Sequence, residues 1–299
     1  MDREQSFTDE VCKWFMSRGF DCIVVETLFP EIEISRENRV LLKITLVSLH
    51  EWRTGRSLGN LSEAFEKVRN RREEGRAAII LWQDYWLGRE EIVKSRLLAM
   101  LGTSQKIPAR LTQVRRIDKI TSQAFLEKYH LNGSVGSKYQ YGLFLPKRYF
   151  RILNADFQHD REGEEMLVAV ATFSHPRIFQ RPGKAFRSYE LIRFASIAAT
   201  NVVGGLDKLL KAFSGEKKPD DIMTYADLEW SDGRSYARLG FEPVSETPPM
   251  SFLLDLKSNR RFTSPKERPL KEDADIQHVE DITTVFNAGS MKYVKTVST

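Results

Sequence analysis

The 299 residues are 41% hydrophobic and 11% aromatic, with 46 Lys and Arg against 41 Asp and Glu for a net charge of +5. That apolar supply builds sizeable cores, excludes a chain that is disordered over most of its length, and suits two domains better than one, while the mild basic excess fits a polyanionic partner. No run nears the roughly 18 apolar residues of a membrane span, two cysteines make neither a disulfide framework nor a four-sulfur metal site, and MDREQSFTDE is too polar for a secretion signal; the expectation is a cytoplasmic protein in a reducing compartment, without a membrane partner.

Phe7, Val11, Trp14 and Phe15 form one helical stripe closing at Gly19, so an amphipathic helix is expected first. DCIVVETLF, EIEIS and RVLLKITLV alternate and are rich in β-branched residues, with Pro30 and polar residues 35–38 between them; they predict strands. Asn60 is expected to cap the helix LSEAFEKVRNRREEG, whose Leu61, Phe65 and Val68 face inward, before a buried strand AAIILW and a helix over 88–101. This order predicts a small α/β domain over residues 1–105.

The pattern then changes. LTQVRRI predicts a strand, 122–129 a helix, and YQYGLFL with EMLVAVATF an antiparallel pair. Next come SYELIRFASIA, where Glu190 and Arg193 are spaced for one helical face, the helix GGLDKLLKAF, the strand DIMTYADLEW, a short helix over 233–239 and the strand SFLLDLK. An α+β domain is expected over 106–262, with 263–299 a charged extension that ends in the strand-like TTVFNAGSMKYVKTV.

Chemistry enters at Gly204 and Gly205, which open a helix whose first N–H groups attract phosphate or carboxylate; a tight turn needing positive φ is the structural alternative. Further on, the ending Tyr236-Ala237-Arg238-Leu239-Gly240-Phe241 resembles the closing motif of the GCN5-related N-acetyltransferase (GNAT) fold. The resemblance implies that Asn201, Gly204, Gly205 and Lys208 hold acetyl-CoA and that Tyr236 protonates the departing thiolate. Asn201 and Leu206 depart from the family's usual Gln or Arg opening and Gly or Ala close.

The succession FLEKYHLNGS, YGLFL, VAVATFSHPR, YELIRF, TNVVGGLDKLLKAF, YADLEWSDGRSYARLGFE and VFNAGSMKY resembles the second half of phage homing-endonuclease-like proteins of the Hef group. It is more distantly similar to GNAT-fold DNA-modifying enzymes of the Mom type. That resemblance implies His130, Asp227 and Tyr236 as a catalytic trio, a base or metal ligand near an amine and an acid near the leaving group. Each has a structural alternative: a loop-satisfying histidine, a turn cap and a core tyrosine.

LFPEIEIS, VLLKITLVSLHEW, AAIILWQDYW and EEIVKSRLLAMLG resemble very-short-patch-repair and other PD-(D/E)XK nucleases, which implies a divalent metal on strand-end carboxylates. Leu41 stands where the (D/E)XK spacing before Lys43 requires an acid, so the site is read as degenerate; Glu31, Glu33, His50, Glu51 and Asp84 remain nearby and no metal is assigned. Arg69, Arg71, Arg72, Lys94, Arg96, Arg115 and Arg116, interleaved with Trp52, Trp82, Tyr85 and Trp86, are the expected DNA contacts, with a solvated charged face as the alternative.

The expected architecture is thus α/β and α+β, a small restriction-endonuclease-like domain followed by a GNAT-like (Mom-like) domain. The expected function is that of a DNA-associated, mobile-element-type protein that transfers an acyl-derived group from acetyl-CoA to an amine on DNA. A metal-dependent homing-type endonuclease, a non-catalytic DNA-binding accessory protein and a protein acetyltransferase stay open as alternatives.

Overall fold

The computed structural model describes residues 2–155, 157, 162–181, 184–263 and 281–297. Its contacts divide the chain into two units that interleave in sequence. The first takes residues 1–90, 226–233 and 246–291; the second takes 91–225, 234–245 and 292–299. Sequence boundaries at 105 and 262 do not coincide with these units, because two later segments return to the first.

In the first unit, α1 (Asp2–Met16) precedes β1 (Asp21–Val25), β2 (Glu31–Arg36), β3 (Arg39–Val47), α2 (Leu49–Gly55), α3 (Leu58–Glu73), β4 (Ala78–Trp82) and α4 (Gln83–Gly88). The strands form one sheet in order β1-β2-β3-β4, antiparallel except for β3 and β4, which are parallel. A parallel pair needs a crossover, and α2 with α3 supplies it. Cys12 on α1 and Cys22 on β1 are joined as a disulfide, not held as the thiols that a reducing compartment favours. Ser57, rather than Asn60, caps α3: its hydroxyl accepts from Asn60 N while Asn60 Oδ1 accepts from Ser57 N, a reciprocal box that starts the helix three residues earlier than Asn60 alone would.

The second unit runs through α5 (Glu90–Met100), β5 (Gln105–Pro108), β6 (Gln113–Arg116), α6 (Lys119–Tyr129), β7 (Tyr139–Pro146), β8 (Glu165–Phe173), β9 (Arg177–Arg181), β10 (Lys184–Ser196), β11 (Thr200–Val203), α7 (Gly205–Lys217), β12 (Asp221–Asp227), α8 (Arg234–Ala237) and β13 (Glu242–Thr247). The chain then adds β14 (Ser251–Asp255), β15 (Arg260–Thr263) and β16 (Ile282–Phe286) to the first unit, where they form a sheet in order β15-β14-β16. Leu254 and Val285 from this sheet complete the first core with Trp52, Leu61, Val68, Ile80 and Trp82.

The final strand, β17 (Ser290–Thr296), enters the large sheet of the second unit, whose order is β13-β17-β12-β10-β8-β7-β6, with β9 paired to β10. The segment read as an extension is therefore an interior strand. Tyr293 at its middle is buried. SYELIRF is likewise part of the thirteen-residue strand β10 and not a helical face; Tyr189 and Leu191 are buried at a spacing of two, which is strand periodicity.

Helix α7 joins the parallel strands β10 and β12 by way of β11. Its apolar side, Leu209, Leu210 and Phe213, is buried, and the Phe213 ring stacks on Phe173 at 3.9 Å with Tyr141 and Tyr189 edge-on at 6.0 and 5.1 Å. Phe125 and Leu126 of α6 pack with Val170 and Ala195 in a second cluster.

Candidate active site in the second unit

Ligands of open sheets with crossover helices gather at the carboxyl ends of parallel strands, where the strands part. Here β10 and β12 pair only over Ser188–Glu190 and Asp221–Met223. Just beyond, β10 breaks register with β8 between Leu191 and Arg193, so Ile192 is an extra residue that bends the strand. With the ladder to β12 ended, the Leu191 carbonyl takes its hydrogen from a side chain: Thr224 Oγ1 donates to it at 3.0 Å, buried.

Burial raises the Tyr236 pKa above the ordinary phenol value, against the opposing pull of the Thr224 hydroxyl and of the Arg96 and Arg193 charges. The phenol is thus a proton donor at neutral pH, with two cations near enough to favour the phenolate that donation leaves. Tyr293 and Phe241, each 5.7 Å from its ring, hold the ring in place.

The helix that follows β11 starts at Gly204, exposed and left-handed at φ 77°, which only glycine adopts cheaply. Gly205 is buried, and a Cβ there would stand 2.9 Å from Val202 Cγ1 and 3.3 Å from Leu143 Cδ1. Its lack of a side chain serves packing. Lys208 is not directed outward: Nζ donates to the carbonyls of Ala109, at 2.9 Å, and Thr112. Asn201 is exposed on β11, and Asp207 in the first helical turn pairs with Lys211 at 2.6 Å.

His130 closes α6, with its N–H on Leu126 O and its Nδ1 accepting from Asn132 N at 3.2 Å. The neutral ring therefore carries its proton on Nε2. Gly133 N donates to His130 O, and Gly133 O accepts from Arg193 Nε at 3.3 Å, so the histidine turn is tied to the bulge.

Asp227 belongs to the first unit. Its Oδ1 accepts from Glu229 N at 2.9 Å and its carbonyl from Trp230 N and Ser231 N, which makes it the anchor of a turn. The trio is consequently not contained in one unit: His130 and Tyr236 share the second, Asp227 does not. Thr224, the Leu191 carbonyl and the cations Arg193 and Arg96 are what sequence reasoning did not place around Tyr236. The polar Thr224 inside the apolar run of β12 was the available signal.

In the first unit the four candidate carboxylates are each matched to a cation. Glu31 pairs with Arg71 at 2.6 Å, Glu33 with Lys43, Glu51 with Arg56 at 3.6 Å, and fully buried Asp84 with Arg261 through two bonds of 2.7 and 2.9 Å. Among the described residues no group of three His, Cys, Asp or Glu side chains could hold a metal ion. Glu229, also buried, accepts from Trp82 Nε1 at 2.8 Å; burial first and the Asp227 charge next push its pKa up to about 8.

The expected DNA contacts are similarly engaged. Arg69 bonds Glu246 at 2.9 Å, Arg115 pairs with Glu165 and Arg116 bonds Glu216 at 2.9 Å, while Lys94 and Arg96 are half-buried on α5. Arg72 donates to the Ala78, Leu228, Glu229 and Ser231 carbonyls at 2.7, 2.7, 3.0 and 3.2 Å, which makes its guanidinium a cap for backbone and not a phosphate contact. Trp52, Trp82 and Trp86 are buried, so they are core side chains and not platforms for bases.

No family model matches the sequence, and no curated protein does. Solved structures similar to the chain include a NatC complex bound to Gag peptide and CoA, 7% identical over 62% of this chain and 99% of that one, TM-score 0.33. A Bacillus subtilis acetyltransferase in complex with CoA is 12% identical over 62% and 99%, TM-score 0.31. A KacTA–DNA complex is 18% identical over 45% and 86%, TM-score 0.29. Scores this low carry no argument about fold or activity, so any functional reading rests on the chain's own geometry.

Proposed function

We propose that the second unit transfers an acyl group from a CoA thioester of the acetyl-CoA type to an amine. The observation that supports it is the Tyr236 phenol, kept protonated by burial beside the Arg96 and Arg193 charges, together with Thr224 Oγ1 bonded to the Leu191 carbonyl where β10 and β12 part. The residues fit the cofactor at its reactive end, where a half-buried phenol, two cations and a bulged strand meet. At the phosphate end they offer the N–H groups of the α7 start at exposed Gly204, with Lys208 occupied by carbonyls.

A bound CoA thioester supplies the activated acyl carbon and a thiolate leaving group. Tyr236 holds its proton until a thiolate develops beside it and then gives it up, while Arg193 and Arg96 favour the phenolate that remains. Service as the base for the incoming amine would require His130 to release the bond from Asn132 N at Nδ1, which is the nitrogen that carries the free lone pair in this tautomer.

Radiolabelled acetyl-CoA incubated with a lysine-containing peptide and, separately, with duplex DNA tests the reading and its acceptor, the DNA arm being the amine that the sequence resemblance implies. Label is expected on one acceptor, with kcat lowered roughly 100-fold or more by Tyr236→Phe. Absence of CoA binding at millimolar concentration, or transfer unaffected by Tyr236→Phe and Thr224→Val together, overturns it.

A further inference from the structure

Arg193 of β10 is a half-buried cation held by backbone of the second unit. Its Nε donates to Gly133 O at 3.3 Å, in the turn after α6, and its Nη1 donates to Ile192 O at 3.0 Å, the carbonyl of the bulge itself. A guanidinium has five N–H donors, and the pair on Nη2 has no partner among the described residues. Burial works against the charge and Glu190 and Tyr236 favour it through space, yet no carboxylate among the described residues forms an ion pair with it.

Thr172 stands directly across from Arg193 in the ladder of β8 and β10, so the two side chains rise from one face with Cβ atoms about 5 Å apart. It is fully buried, and its hydroxyl has no hydrogen-bond partner among the described residues. Gln140, across from Thr172 on β7, leaves it unsatisfied because the Gln140 amide turns to Ser137 O and Oγ at 3.0 and 3.1 Å. A cation without an anion and a hydroxyl without a partner thus stand side by side, just past the point where the β12 ladder leaves β10.

We propose that this pair selects the acceptor: the amine that receives the acyl group carries a carboxylate, bound by the Nη2 donors of Arg193 next to the Thr172 hydroxyl. The proposal rests on the acyltransferase reading of the second unit. A planar guanidinium matches the two oxygens of a carboxylate, and a site built to bond a polar group rejects an acceptor that lacks it, since the site's own donors are then left unpaired. In the transfer, the amine nitrogen bonds the acyl carbon and the C–S bond breaks; the nitrogen gives up a proton, the CoA thiolate gains one, and the carboxylate is untouched.

The test uses the full chain, acetyl-CoA and the amines ethanolamine, β-alanine and O-phosphoethanolamine, which share a two-carbon spacer. kcat/KM for β-alanine should exceed that for ethanolamine roughly 10- to 100-fold. Arg193→Met should bring this ratio to about one, Arg193→Lys should keep only part of it, and Thr172→Val should lower it roughly 3- to 10-fold. The ratio is the readout because loss of the Arg193 charge near Tyr236 slows transfer to each acceptor alike. Near-ultraviolet dichroism of the tyrosines establishes folding. A ratio of about one in the unaltered protein, or one unchanged in folded Arg193→Met and Arg193→Lys, overturns the proposal. Preference for O-phosphoethanolamine over β-alanine overturns the carboxylate in favour of a phosphate.

A second readout needs no turnover. The ¹⁵Nε resonance missing from Arg193→Lys identifies Arg193, and at constant ionic strength it should shift saturably with β-alanine and not with ethanolamine. A saturable shift in a protein that transfers no acyl group overturns the acyltransferase reading and leaves the carboxylate site standing. Acyl transfer with neither shift nor preference overturns the carboxylate site and leaves the acyltransferase reading standing.

Discussion

Glu229→Gln isolates one proton in the first unit. In the unfolded chain this carboxyl titrates at the ordinary glutamate value of 4.5, and in the fold at about 8, because it is buried beside Asp227 with only Trp82 and Arg261 to offset the cost. Between those values the folded protein keeps a proton that the unfolded chain has released. Its stability contribution is therefore full below the unfolded pKa and is lost as pH rises through the folded one. While the difference is near one proton, each pH unit removes about 1.4 kcal/mol, so a rise from about pH 5.5 to about pH 7.5 costs roughly 2–3 kcal/mol.

Gln keeps an oxygen for Trp82 Nε1 and has nothing to ionise, so its variant should lack this loss. Urea midpoints followed by tryptophan emission measure it, since Trp14, Trp52, Trp82, Trp86 and Trp230 all lie in the first unit and report its unfolding alone. The wild-type midpoint should fall relative to Glu229→Gln as pH rises, and the two should converge at about pH 5. Midpoints that change in parallel across the range would refute the argument that Glu229 is folded in its protonated form.

Arg261→Met leaves Asp84 charged and fully buried without its bidentate partner, so the same emission assay should show a loss of roughly 3–5 kcal/mol. Phe213→Ala removes the ring stacked on Phe173 at the centre of the second unit and should cost about 3–5 kcal/mol, followed by near-ultraviolet dichroism of the tyrosines around it. Lys208→Met strips the donor from the Ala109 and Thr112 carbonyls, which should lower stability by about 1–3 kcal/mol while calorimetric CoA affinity holds. The reverse pattern, weaker CoA binding in an equally stable protein, would make Lys208 a ligand contact instead.

What the sequence conveyed and what it withheld follow from how far each interaction reaches along the chain. The strands over 31–47 and 78–82 announce themselves by composition, and the helix start at Gly204-Gly205 by its glycines, because these depend on neighbours within a turn. Tyr236 stood out by its place before Leu239-Gly240-Phe241. Thr224 did not, since its importance comes from the β10–β12 ladder stopping one residue before Leu191, a consequence of strand register. Asp227 looked interchangeable with a catalytic carboxylate until the turn it anchors was seen to belong with Arg72 and Ile80. Glu190 and Arg193 misled by their spacing alone: three residues apart suits a helix, yet the alternating burial of Tyr189 and Leu191 follows the strand.

The interior place of β17 bears on how the protein is made. Strands β12 and β13 end by residue 247, but the strand that lies between them spans 290–296. While a ribosome is still decoding the intervening stretch, the newly made sheet has a slot with two unpaired rims, each able to accept a stray strand from another nascent chain. Closure is deferred by more than forty codons, and a truncation that removes 290–296 deletes the keystone of an otherwise complete sheet.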